Sequence, residues 1–166
     1  MTLREFLDGE FAGFFGVEET GHAAVAGGMQ HDFKTGGFQE HVDLRVTVGK
    51  DGRIGSAVLA MTRTWVGNRE SVSPFAKDIA KSYVATFMAP EDGGVANVLA
   101  LNLWQLQGTK NVVEYFGDPP PPPPAPPPGF LDAYVGERAE FRQECLKSAI
   151  SLCNEGGKLL LAITAR

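Results

Sequence analysis

The sequence predicts an α+β domain, an antiparallel sheet of five to seven strands covered by helices. Three observations carry this expectation. Val42, Leu44, Val46 and Val48 alternate with His41, Asp43, Arg45 and Thr47, the period-two pattern of a half-buried strand. Phe75, Ile79, Tyr83 and Phe87 recur every fourth residue behind Ser73-Pro74, the pattern of a capped amphipathic helix. Asn154-Glu155-Gly156-Gly157 separates two apolar runs near the C-terminus, a hairpin signature. A chain of 166 residues is long enough for one domain with a substantial core.

Taken in order, Leu3, Phe6, Leu7, Phe11, Phe14 and Phe15 recur at intervals of three and four, which predicts an amphipathic helix over 3–15. Residues 16–37 are rich in Gly and Ala without a clear period and read as loop, so 1–37 is expected as an extension to a domain over 38–166. Gly49-Lys50-Asp51-Gly52 turns the 42–48 strand into a second strand over 54–66. The 73–89 helix stops at Pro90. Val95 to Leu106 is apolar on both faces, as in a central strand covered on both sides. Gln107 to Lys110 turns it into a further strand over 112–116. Phe130 to Val135 suits a short turn of helix. Residues 139–153 fit either a helical face (Phe141, Cys145, Ala149, Cys153) or a strand face (Leu146, Ser148, Ile150, Leu152), and the following two-glycine turn favours strand–turn–strand.

Nine of the eleven prolines fall between Pro119 and Pro128, interrupted only by Ala125. Proline fixes φ and lacks an N–H, so residues 118–129 form an exposed arm that favours a polyproline II rod of about 30 Å over ten residues. Such an arm either docks in an aromatic-lined groove or spaces Phe116 from Phe130. The arm (Pro119, Pro120, Pro121, Pro122, Pro123, Pro124, Pro126, Pro127, Pro128) and the N-terminal rings (Phe6, Phe11, Phe14, Phe15) are the candidate partner-binding residues.

The net charge of −5 and the scattered Lys and Arg residues argue against nucleic acid. No apolar run reaches the length of a transmembrane helix. Glu5, Asp8 and Glu10 argue against a secretory or transit leader at the start. Cys145 and Cys153 form no disulfide framework and read as two small buried hydrophobes. His22, His31 and His41, with Asp32 beside the second, raise the question of a transition-metal site. Their spacings match no standard ligand pattern, and they read as surface histidines in loop. Gly27-Gly28 and Gly93-Gly94 lack a phosphate-binding pattern and read as turns. Glu18-Glu19 and Glu91-Asp92 are solvated acids or contacts for a basic partner or a weakly held Ca²⁺. No residue is assigned a catalytic, cofactor-binding or metal-binding role, and no enzyme is expected.

Ser73-Pro74 with its helix, Val95-Ala96-Asn97-Val98-Leu99, Gly108-Thr109-Lys110 leading to Tyr115-Phe116, and Gly157-Lys158-Leu159 follow one another in an order that resembles the PsbP-like family of extrinsic lumenal photosystem II proteins. The resemblance covers residues 40–166. It implies an α/β/α sandwich and a non-enzymatic accessory subunit on the thylakoid lumen side, bound to protein subunits of a photosynthetic membrane complex, with weak calcium retention. The alternative from the residues alone is a soluble small-molecule-binding or chaperone-like α+β module.

Overall fold

Thr2 opens the first helix: its Oγ1 accepts from the Glu5 N–H while the Glu5 carboxylate accepts from the Thr2 N–H, a reciprocal capping box. The computed structural model describes residues 1–106 and 124–166. In place of one helix over 3–15 there are two, α1 (Leu3–Leu7) and α2 (Glu10–Phe15). Gly9 makes the break with extended backbone, and a Cβ there would sit 3.1 Å from the Phe6 carbonyl oxygen. Phe6 and Phe11 consequently turn into the core together, their rings 6.1 Å apart.

The stretch expected as loop is a hairpin, β1 (Glu18–Val25) and β2 (Gly28–Lys34), closed by Ala26-Gly27 with Gly27 at φ +88°. Every residue of β1 is exposed and only Phe33 of β2 is buried, so no apolar alternation marks either strand. The hairpin pairs with the rest of the sheet through Gly28 to Phe33. β3 (Val42–Gly49) and β4 (Ile54–Thr62) match the expected hairpin, except that β4 ends at Thr62 and Arg63–Val66 winds into a helical turn, α3. A two-residue ladder, β5 (Gly67–Asn68) and β6 (Ser71–Val72), leads into α4 (Pro74–Phe87).

Ser73 caps α4 as expected, its hydroxyl oxygen accepting from the Ala76 N–H at 3.2 Å. The buried face is Ala76, Ile79, Ala80, Tyr83 and Val84; Phe75 lies off it, 56% exposed. The fully buried Tyr83 hydroxyl donates to the Ala57 carbonyl at 2.6 Å, tying α4 to β4. Burial holds this phenol well above its ordinary pKa, so it stays a neutral donor. Tyr83→Phe is expected to cost about 1–2 kcal/mol in urea unfolding, because Ala57 loses its partner in a dry setting.

Val95 to Leu106, expected as a two-sided strand, belongs to α5 (Gly93–Gln105). Ala96, Leu99, Asn102 and Leu103 are its buried positions, a helical spacing that the surrounding apolar residues mask. The strand that the PsbP-like resemblance places at Val95–Leu99 is therefore helix. Lys77 of α4 reaches the end of α5, its Nζ donating to the carbonyls of Leu106 at 2.5 Å and Trp104 at 3.3 Å. The turn and strand expected over 107–116, and Pro119–Pro123, lie outside the described residues. Beyond them α6 (Phe130–Tyr134) forms where a helical turn was expected, followed by β7 (Glu140–Glu144), β8 (Ser148–Glu155) and β9 (Lys158–Ala165). The ambiguous 139–153 segment is therefore strand rather than helix, as favoured, but a turn over 145–147 that was not expected divides it in two; the two-glycine turn then joins β8 to β9 as expected.

The seven long strands form one antiparallel sheet in the order β1-β2-β3-β4-β9-β8-β7. Leu44, Val46, Leu59, Met61, Ile150, Leu152, Leu161 and Ile163 point to one face and are buried under the helices. Residues of alternate parity, including Arg45, Val58, Ala60, Leu160 and Ala162, remain half-buried or exposed. Among the described residues, then, helices cover one face, and the second helical layer of an α/β/α sandwich is not seen. None of the described helices is long and apolar enough to cross a membrane.

Candidate metal centre

The β1–β2 hairpin turns on Ala26-Gly27, so strand positions pair outward from Val25 opposite Gly28 and bring His22 directly opposite His31. The ladder then slips by one residue between Glu19 and Gly21, leaving Thr20 unpaired in a bulge. In a regular strand Glu19 and His22, three apart, would face opposite sides of the sheet. The bulge counts Thr20 and Gly21 as one position, and Glu19 and His22 come to the same face. Thr20 is pinned there, its hydroxyl donating to the Asp32 carbonyl at 3.2 Å.

One carboxylate oxygen, Glu19 Oε1, consequently lies 2.7 Å from His31 Nδ1 and 3.2 Å from His22 Nδ1. Donor atoms of the three side chains lie within 4.8 Å of one another. The hydrogen bond with His31 is the largest cause holding the Glu19 carboxyl below its usual pKa, so the acid is ionised near neutrality. His31 is the anchored member, with its side chain 14% exposed against 61% for His22. Its ring stacks on Phe33, and Phe33 in turn meets Phe6 edge-on at 5.8 Å. The hydrophobic core thus sets the orientation of one imidazole, and the hairpin register brings the other to it.

Two imidazoles and a carboxylate are the donor types of zinc and other first-row divalent ions. Ligand atoms of a tetrahedral zinc ion sit roughly 3.3 Å apart, as follows from bonds of about 2.0–2.1 Å. The two separations from Glu19, 2.7 and 3.2 Å, lie at or a little below that value. The third histidine is elsewhere: His41 stacks on Trp65 at 5.4 Å, with its Nδ1 3.3 Å from Thr62 Oγ1. Asp32 is also directed away, its carboxylate accepting from Arg45 at 2.9 Å on the open face of the sheet.

No family model, curated protein sequence or solved structure matches this chain. Nothing in those comparisons identifies the PsbP-like family or bears on a photosystem. The cluster of Glu19, His22 and His31 rests on its own geometry.

The other sequence-derived candidates are dispersed. Phe6 and Phe11 are buried inside this domain, Phe15 is partly buried, and Phe14 stands 82% exposed. Of the proline arm, Pro124 to Pro128 are described: the Pro124 carbonyl accepts from Asn102 Nδ2 at 2.8 Å, and the Pro127 carbonyl accepts from the Phe130 N–H. The arm's C-terminal end is clipped to α5 and α6, with Pro126 and Pro127 half-buried. Cys145 and Cys153 are free and partly buried, less enclosed than the sequence suggests. Asp92 is buried and structural, accepting from the N–H groups of Leu146 and Lys147.

Two further polar groups escaped the sequence reading. Arg63 is half-buried where β4 ends and donates to Asn154 Oδ1 at 2.8 Å and the Gly67 carbonyl at 2.6 Å, bracing α3 against β8. On the open sheet face Asp43 joins Lys34 at 2.6 Å and Lys158 at 3.5 Å. Partial burial would raise the Asp43 carboxyl, and these two cations more than offset it.

Proposed function

We propose that this protein binds a divalent transition-metal ion of the zinc class through Glu19, His22 and His31, and that it acts by holding the ion rather than by catalysis. The observation that carries this is the convergence of three donor atoms of the right types within 4.8 Å, delivered by a bulge and a cross-strand histidine pair. The absence of catalysis is inferred from exposure: Glu19 and His22 are open to water on an outer strand. Metal-centred chemistry gains most where water is excluded. A hard cation such as Ca²⁺ takes six to eight oxygen ligands, and this site supplies one carboxylate. The nitrogen-rich donor set therefore selects against calcium.

The test is a titration of the full chain with Zn²⁺ against a chromophoric chelator, repeated with Mg²⁺ and Ca²⁺. Saturable Zn²⁺ binding is expected, with none for the two hard cations. Metal binding displaces protons from its ligands, so the titration is run at one fixed neutral pH. Zinc binding that is absent, or matched by Mg²⁺ or Ca²⁺, would overturn the proposal.

A further inference from the structure

Three protein donors leave a four-coordinate ion incomplete, and the place where the site sits suggests what completes it. We infer that, on the metal reading above, the ion joins two copies of this chain edge to edge, with β1 paired antiparallel to β1 of the second copy. β1 is the outermost strand on its side of the sheet, and all eight of its residues are exposed. Among the described residues no strand covers its outer edge. A long uncovered edge is a template for pairing, and natural sheets usually blunt one with lysine, proline or inward-pointing charge. β1 reads Glu-Glu-Thr-Gly-His-Ala-Ala-Val and carries neither lysine nor proline, and its bulge at Thr20 leaves residues 22–25 as a regular edge. It has only two acids, both at one end.

Self-pairing about His22 is favourable in charge. With Thr20 and Gly21 counted as one bulged position, it sets Gly21 opposite Ala23, Glu19 opposite Ala24 and Glu18 opposite Val25, so no acid meets an acid. A two-fold axis normal to the sheet keeps both ligand faces on the same side of the joined sheet. The two His22 residues then become direct cross-strand neighbours, with Cβ atoms about 4.5–5.5 Å apart. His22 is the most exposed of the three ligands and the one nearest that axis, so the same imidazole of the second copy supplies the missing donor. Val25, 37% exposed in the single chain, gains cover in the same step.

Analytical ultracentrifugation of the full chain, with Zn²⁺ or with chelator, decides it when run beside the chelator titration. The expected result is a doubling of mass with Zn²⁺, at one ion per two chains, and a monomer in chelator. The double variant Gly21→Glu/Ala23→Glu leaves all three ligands in place, and a Cβ at Gly21 meets nothing within 4 Å. It sets like charges opposite each other twice in the joined sheet, so it should bind Zn²⁺ and stay monomeric. A wild-type monomer that binds one ion overturns the bridged dimer and leaves the metal reading standing. A wild type that binds no zinc removes both. A dimer that persists in chelator also overturns the bridge.

Discussion

His31→Ala is expected to weaken zinc binding by at least about 100-fold, since even residues that only support a metal ligand cost 10–100-fold when removed. His31 is the ligand whose ring the core positions, stacked on Phe33 and mostly shielded from solvent. Its loss removes both a donor and the partner that holds the Glu19 carboxylate in place. Glu19→Gln keeps the shape and one acceptor oxygen but removes the charge, and should fall between His31→Ala and wild type. His41→Ala is the control: this ring lies against Trp65, in none of the contacts of the trio, and its loss should leave binding unchanged. Equal losses for His31→Ala and His41→Ala in the same titration would refute the assignment.

Asp92→Ala should lower stability by about 3 kcal/mol, the low end for two charge-assisted hydrogen bonds at about 1.5–3 kcal/mol each. Asp92 is 4% exposed, and its carboxylate accepts from the Leu146 and Lys147 N–H groups at 2.8 and 2.9 Å. Next to it the Ser148 hydroxyl accepts from the Ala89 N–H, so the α4–α5 connection and the β7–β8 turn are held as one unit. At about 2–4 °C per kcal/mol for a chain of this size, the melting temperature should drop by roughly 6–12 °C. Burial alone would raise this carboxyl, and the N–H groups of Lys147 and Leu146 more than offset it, leaving its pKa below the ordinary value. A carboxyl depressed in the folded state adds stability above the unfolded pKa of about 3.9 and loses it as pH falls through the lower folded value. The gap between wild type and Asp92→Ala should accordingly be full at neutral pH and narrow as pH falls below about 4. A gap that stays constant in denaturant melts across that range would show that Asp92 acts through something other than its charge.

Half of the metal trio's geometry was within reach of the sequence. Gly27-Gly28 was visible as a turn, and counting outward from a two-residue loop at Ala26-Gly27 pairs His22 with His31. What hid the pairing was the absence of apolar alternation, because β1 packs against nothing on either face. Glu19 was out of reach, since its placement depends on the bulge at Thr20, which no periodicity announces. α5 failed for the opposite reason. Apolar residues surround its buried face, and a run of that kind has no visible period. Its thirteen residues exceed an ordinary strand, and length was the signal that separates the two readings.

By itself the sequence determined the elements that bury one side and expose the other. These are the β3–β4 hairpin with its Gly49–Gly52 turn, the Ser73-Pro74 start of α4, and the two-glycine turn between β8 and β9. In each, local backbone preference and one-sided burial point the same way, so period and punctuation agree. Tertiary structure alone decided where those elements end and which residues meet. Phe6 and Phe11 left the N-terminal surface because Gly9 breaks the helix and the core has room for both rings. Glu19, His22 and His31 became neighbours because a pairing between two exposed strands, slipped by one residue, brought them to the same face. Such contacts depend on register between segments, and register is set by what each segment packs against rather than by its own composition.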